Sequence, residues 1–383
     1  MSTPTTICTD ALTHARMACD TIMRKFAPEE LPPRGEFYYH QGVFLSGMLK
    51  VYDLCGEKKY LEYVKSWVDS VVGEEGGIRS FDEGQLDYIQ PGVLLFALLE
   101  NQGGDRKALL ENPGDRKAPL ENPGDERYRK ALYALMEAVD SFPTTEAGGF
   151  WHNGGCRDQM WLDGLYMAGP ICARYAAVFG EERYFDLCTA QILLMEKITR
   201  DAATGLWVHA CDIRRQMPWA DPATGRSPEF WGRSMGWVPV ALLEVLDDLP
   251  KTHRDRPELI RLVTDLLRAV CRYQEASGLW YQVLDKGGQP GNWLESSCTC
   301  LFAGAICKAV RNGFLEKQYL ENAERAFRGI VDRLRVDEGG IILDDICVGT
   351  GVGDYAHYCA RPRTTNDLHG IGAFLYMCAE AAK

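Results

Sequence analysis

The 383-residue chain has no run of about eighteen apolar residues, so a membrane span is excluded. It has no surplus of basic charge. Forty-two basic residues face 54 acidic ones, a net charge of −12, and phosphate binding needs a basic face, so nucleic-acid partners are not expected. The N-terminus MSTPTTICTDALTHARMACD lacks a basic start followed by an apolar block, so no secretory signal is expected. G-x-S-x-G, P-loop and H-E-x-x-H patterns are missing. The seven histidines are dispersed and suggest no metal cluster, so neither a metal nor a cofactor is expected. Gly349-Thr350-Gly351-Val352-Gly353 is glycine-rich but lacks a surrounding strand–helix unit of the dinucleotide-binding kind. The fourteen cysteines lack zinc-finger spacing; only Cys298 and Cys300 are close, as CTC, and most others sit singly in apolar helical patterns. Scattered free thiols point to a reducing compartment, hence to the cytoplasm.

What the chain does have is a loose internal repeat. A glycine followed by an apolar or aromatic residue recurs at Gly77-Ile78, Gly149-Phe150, Gly205-Leu206, Gly278-Leu279 and Gly340-Ile341. A Gly-acid-x-x-Tyr turn recurs from Gly56 to Tyr60, Gly124 to Tyr128 and Gly180 to Tyr184. Between these markers two kinds of helix alternate. Stretches near 8–26, 58–73, 126–141, 182–199, 255–276 and 315–334 are amphipathic, with one face to bury and one to wet. Stretches near 43–56, 91–100, 161–180, 237–249, 300–310 and 370–382 are apolar almost all round and rich in Gly and Ala, so they must be surrounded. Six exposed and six enclosed helices in alternation predict an all-α (α/α)6 toroid of two concentric rings, with an open solenoid as the alternative. Strand signal is confined to short pieces such as 279–284 and 341–343. The whole of 1–383 reads as one catalytic domain. GDRKALLENP at 104–113 is repeated as GDRKAPLENP at 114–123, and this duplication reads as a lengthened surface loop.

Aromatic and polar residues crowd the predicted starts of the enclosed helices, at Phe37 to Gly42, Gln85 to Tyr88, Phe150 to Gly164 and Glu229 to Trp237. Aromatic faces beside carboxylates and an arginine suit a sugar, whose C–H faces lie on rings and whose acid/base chemistry falls to a carboxyl. Asp163 lies between Leu162 and Gly164 in apolar surroundings, where desolvation would raise its pKa and suit it to act as an acid; the structural alternative is a capping or salt-bridged aspartate. Asp87 follows Leu86 next to an enclosed helix, and its alternative is an N-cap for the helix starting near Pro91. Arg233, between Trp231 and Trp237, would stack, fork onto a substrate carboxylate, or pair with Glu229 or Asp163. His152 reads as either a site residue or a hydrogen-bonded structural one, with Tyr39, His40 and His357 as weaker versions. Glu295 in NWLESSCTC reads as a helix cap.

At these same clusters the chain resembles the unsaturated rhamnogalacturonyl hydrolases, with unsaturated glucuronyl hydrolases more distant. The stretches that carry the resemblance are QLDYIQPG (85–92), GGFWHN (148–153), DQMWLDGLYMAGP (158–170), SPEFWGRSMGWV (227–238), ESSCTCLFAGAICKAVRNGFL (295–315) and GTGVGDYAHYCARPRTTNDLHGIGAFLYMCAE (349–380). The resemblance implies an (α/α)6 toroid that releases a 4,5-unsaturated uronic acid from the end of a pectin-derived oligosaccharide by hydrating the C4–C5 double bond. It implies Asp163 as general acid/base, protonating C4 and helping a water add at C5, Asp87 as a second active-site carboxylate in support, and Tyr39, His152, Trp231, Arg233 and Trp237 as substrate contacts. The chain departs from the family pattern at the 104–123 duplication and at the cysteines of ESSCTC. An unsaturated glucuronyl hydrolase, another sugar-active toroid such as an epimerase, and a non-catalytic sugar-binding relative are the alternatives. An epimerase would more naturally show two histidines bracketing the ring carbon.

Overall fold

The computed structural model describes the backbone of residues 4–102 and 125–383, and the side chains of 10–100 and 125–383. The 104–123 duplication lies outside the described residues. Twelve long helices occur among those residues, in alternating roles. The outer set is α1 (Pro4–Lys25), α3 (Lys58–Val71), α5 (Glu126–Ser141), α7 (Arg183–Thr199), α9 (Arg256–Cys271) and α11 (Leu320–Val331). The inner set is α2 (Tyr39–Cys55), α4 (Val93–Gln102), α6 (Asp163–Phe179), α8 (Gly232–Asp248), α10 (Ser296–Arg311) and α12 (Leu368–Ala381). Each inner helix packs on the next, and α12 packs back on α2, so the inner ring closes. The architecture is the (α/α)6 toroid; closure removes the free ends a solenoid would leave.

Burial explains the two helix types. Almost every residue of α8, α10 and α12 is buried, whereas the outer helices bury one stripe. Small residues let the inner helices approach closely: a Cβ on Gly372 of α12 would stand 2.6 Å from the Val43 backbone of α2.

The repeated sequence markers have physical causes. Gly56 and Gly180 end α2 and α6 in the left-handed conformation, with φ of 71° and 75°, where a side chain is disfavoured. The tyrosine that follows each turn reaches the preceding outer helix: Tyr60 donates to Asp20 (3.1 Å), Tyr128 to Asp69, and Tyr184 to Asp140 (3.0 Å). The other marker is a tight turn after an outer helix. It returns the chain through antiparallel bridges, Val72 with Ile78, Thr144 with Phe150 and Arg200 with Trp207.

Strands are short. β1 (Gln159–Trp161) pairs antiparallel with β2 (Ala210–Asp212), and Trp280–Tyr281 pairs with Leu294–Glu295. The β1–β2 pair was not legible as strand, because three residues give no alternation to read. It matters because β1 leads straight into the first residue of α6. Among the described residues no helix is long and apolar enough to cross a membrane.

Candidate active site

The predicted residues other than Trp237 meet at one end of the inner ring. Asp163 is the first residue of α6, at the end of β1, rather than a residue inside a helix. The β1–β2 ladder sets Trp161 opposite Ala210, so His209, just before β2, comes beside Asp163. His209 Nε2 lies 3.2 Å from Asp163 Oδ2, and its Nδ1 lies 2.7 Å from the Tyr358 hydroxyl. Ionised Asp163 can only accept, so it takes its hydrogen bond from Nε2, and Nδ1 is left to accept from the Tyr358 hydroxyl, which itself accepts from the Gly353 N–H. That fixes the proton of the neutral imidazole on Nε2, where it is donated to Asp163.

These contacts overturn the expected direction for Asp163. Burial raises its pKa, but the His209 hydrogen bond, with His152 and Arg233 nearby, outweighs burial and holds the carboxyl below its ordinary range. Its position at the N-terminus of α6 acts in the same direction. Burial lowers His209, so the ring is neutral at neutral pH. The carboxyl raised by its surroundings is instead Asp87. Burial is the main cause, reinforced by the charge of Asp163 and only partly offset by His152 and the Tyr38 hydroxyl, which donates to Asp87 Oδ2 at 2.9 Å. Asp87 lies in a 3-10 turn, Leu86–Tyr88, and caps nothing. A backbone bridge between Gln85 and Asn153, and the Gly154 N–H donated to Gly84, hold its loop against the His152 loop. Neither carboxylate is sealed; the Asp163 side chain keeps 14% of its exposure.

Aromatic rings wall the pair. His152 stacks on Trp161 at 4.0 Å and 5°, and Trp161 meets His209 edge-on. Trp231 is buried, with its ring 4.7 Å from His209 and stacked on Tyr358, and its Nε1 has no hydrogen-bond partner. Tyr39 opens α2 and packs on Tyr38 and His40.

Arg233 and Trp237 sit differently from expectation. Arg233 is 2% exposed, and its guanidinium lies over Trp231 at 4.5 Å. Two of its nitrogens donate to the carbonyls of Cys347 (2.5 Å) and Val348 (2.8 Å). It pairs with neither Glu229, which binds Lys286 at 2.5 Å, nor directly with Asp163. Its fork is therefore occupied by backbone, while its charge still acts on Asp163. Trp237, a turn further along α8, is 1% exposed and stacked on Tyr166 inside the core. His357 bonds the Gly351 carbonyl. Glu295 caps α10, accepting from Cys298 N–H as its sequence position suggests, and also holds Ser297 and the Cys347 N–H.

His209 and Tyr358 were missed in the sequence. For His209 a signal existed: it lies just past the marker Gly205-Leu206-Trp207, as His152 lies just past Gly149-Phe150. Tyr358 had none, because its role depends on a contact that the fold makes across the ring.

With this geometry in view, the relatives are informative. A model described as Glycosyl Hydrolase Family 88 matches residues 14–114 and 117–383. A family 105 glycoside hydrolase from C. acetobutylicum ATCC 824 superposes with a TM-score of 0.86 at 34% identity, covering 96% of this chain and 99% of that one. The unsaturated rhamnogalacturonyl hydrolase YesR of Bacillus subtilis (strain 168) is 26% identical over 312 residues, 81% of this chain and 79% of that protein. The unsaturated glucuronyl hydrolase from Bacillus sp. GL1, at 15% identity and a TM-score of 0.68 over 97% and 96% of the two chains, shares the fold. On the match of the family model over nearly its whole length, the chain belongs to glycosyl hydrolase family 88.

Proposed function

We propose that the protein is an unsaturated rhamnogalacturonyl hydrolase, removing a 4,5-unsaturated uronic acid from the non-reducing end of pectin-derived oligosaccharides. The observation that carries this reading is the pair Asp163 and Asp87, which share one aromatic-walled site and are shifted in opposite directions. Groups pushed apart in this way divide acid and base work.

Asp87, the carboxyl that burial favours as neutral, gives its proton to C4 of the enol ether. Positive charge then develops at C5 and the ring oxygen, where ionised Asp163 stabilises it. A water adds its oxygen to C5 and loses a proton to Asp163, which His209 has kept ionised and oriented. The product is a hemiketal at C5. Its bond from C5 to the ring oxygen breaks, C5 becomes a ketone, and C1 is left as a hemiacetal that releases the next sugar as an alcohol. One water is consumed, and solvent returns the proton from Asp163 to Asp87. No carboxylate attacks carbon, so the spacing rule for retaining and inverting glycosidases does not govern this pair. His152, Trp161 and Tyr39 supply faces for the sugar ring. Arg233 contributes its charge, and Trp237 supports the site from beneath.

The reading takes 1–383 as one catalytic domain and places it in the cytoplasm; all thirteen cysteines with described side chains are free, which suits a reducing compartment. The test is a set of unsaturated disaccharides differing only in the second sugar, followed by loss of the ultraviolet absorbance of the conjugated uronate. Turnover is expected with rhamnose in second place, and Asp163→Asn should lower it by about 10²–10⁴-fold. Preference for a glucuronyl-type substrate would move the protein to the neighbouring specificity. Full activity in Asp163→Asn would end the mechanism.

A further inference from the structure

The starts of α2 and α12 bring together three side chains that the reaction above does not use. His40 lies in the first turn of α2, Asp367 is the N-cap of α12, and His369 is in its first turn. They come from opposite ends of the sequence and meet because α12 closes the ring against α2. His40 Nδ1 lies 3.1 Å from Asp367 Oδ1, and His369 Nδ1 lies 2.8 Å from the same oxygen. One donor atom from each residue falls within 4.8 Å of the other two. We propose that His40, Asp367 and His369 form a binding site for one divalent first-row transition-metal ion.

The argument turns on His369, which is 0% exposed. Its Nε2 is 3.1 Å from the Cys347 carbonyl, in hydrogen-bond geometry. A carbonyl only accepts, so Nε2 carries the proton. The neutral ring then has a lone pair on Nδ1. That nitrogen is buried and has no hydrogen-bond partner, although Asp367 Oδ1 is in contact with it. Two acceptor atoms side by side in a buried place are unfavourable by themselves. A second proton on Nδ1 would not cure this, because the N–H would not be directed at the oxygen. A cation shared by both atoms would. The two contacts to Asp367 Oδ1 suit one: atoms 3.1 and 2.8 Å apart subtend roughly a right angle at a metal about 2.1 Å from each. Two imidazoles and one carboxylate on one side of an ion are an established donor set for such metals. The Nε2 bond to Cys347 is the outer contact that ligating histidines usually make, fixing tautomer and ring orientation.

His40 and Asp367 supply the way in, with side chains 20% and 18% exposed. The rings of His40 and His369 meet edge-on at 4.9 Å, and Tyr38 and Tyr39 pack against His40 from the sugar side. The Arg233 guanidinium shares the Cys347 carbonyl with His369, and this positive neighbour lowers the affinity for a cation without removing a ligand. A bound ion would tie the first inner helix to the last. A second cluster, Asp186, His253 and Asp255, lies on the outer ring; there Arg254 already neutralises Asp186 at 2.7 Å.

The test uses the full chain, stripped with a chelator and dialysed against Co²⁺. One tightly held equivalent per chain is expected, with an X-ray absorption shell of two imidazoles and oxygen and no sulfur. His40→Ala and Asp367→Asn should each weaken binding by about 100-fold or more, at least the upper cost of losing an outer-shell partner. Asp186→Asn should change nothing. Sulfur in the shell, no stoichiometric binding, or equal affinity in wild type and both variants would overturn the proposal. The shell is read on wild-type protein, so a variant that fails to fold does not decide the outcome. Binding is read without substrate, so it stands or falls apart from the hydrolase reading.

Discussion

Removing the imidazole of His209 tests the electrostatic core of the site. In His209→Leu, Asp163 loses the donor 3.2 Å from its Oδ2, and the Tyr358 hydroxyl loses its acceptor. Burial, which raises a carboxyl, is then opposed only by the charges of His152 and Arg233 and by the helix terminus. A hydrogen bond to a charged group is worth about 1.5–3 kcal/mol. At about 1.4 kcal/mol per pKa unit, Asp163 should rise by about one to two units. In the proposed mechanism Asp163 works ionised, and kcat/KM reports the free protein. The acid limb of the kcat/KM profile should therefore move to higher pH by about one to two units, while the alkaline limb, set by Asp87, stays nearly in place. The assay is disappearance of the unsaturated uronate absorbance at low substrate, from about pH 3 to 8, with the folded state checked by near-ultraviolet circular dichroism at each pH. An acid limb that does not move would show that His209 does not set the charge of Asp163, and the division of labour between the two carboxylates would fail with it.

Asp87→Asn should abolish the alkaline limb along with most of the activity, because the group raised above the ordinary 3.8 is the one that must hold a proton; a limb that survives assigns it to another residue. Arg233→Lys keeps the charge but loses the fork to Cys347 and Val348, so we expect about 2–3 kcal/mol less stability in urea unfolding and a modest change in KM. A large KM change at unchanged stability would instead put the guanidinium on the substrate. Lys308 is buried beside Glu244 and Asp247, and Lys308→Met should cost about 1–3 kcal/mol, since Glu244 keeps Lys50 at 2.8 Å and the Asp247 side chain is 46% exposed. Catalysis in the folded fraction should not change; a loss of kcat there would tie that ion network to the site.

The residue order already dictates the alternation of enclosed and amphipathic helices, because burial on all sides or on one side is written in local periodicity. It also determined the turns between them, because a left-handed cap at Gly56 or Gly180 is a local demand. Asp87, Asp163, His152 and Trp231 stood out as candidates because they stand next to helix starts within short segments. Their chemistry comes from contacts made when the ring closes. The charge of Asp163 depends on His209, brought in by the β1–β2 ladder, and on Arg233 from α8. The orientation of His209 depends on Tyr358, far along the chain. The donors of Arg233 are taken by carbonyls that no pattern in its own segment announces, and His40, Asp367 and His369 become neighbours only when the last inner helix meets the first. Periodicity records whether a residue is buried; a pKa, a tautomer or a ligand set is fixed by which atoms lie within about 3–4 Å, and ring closure chooses those atoms from distant parts of the chain.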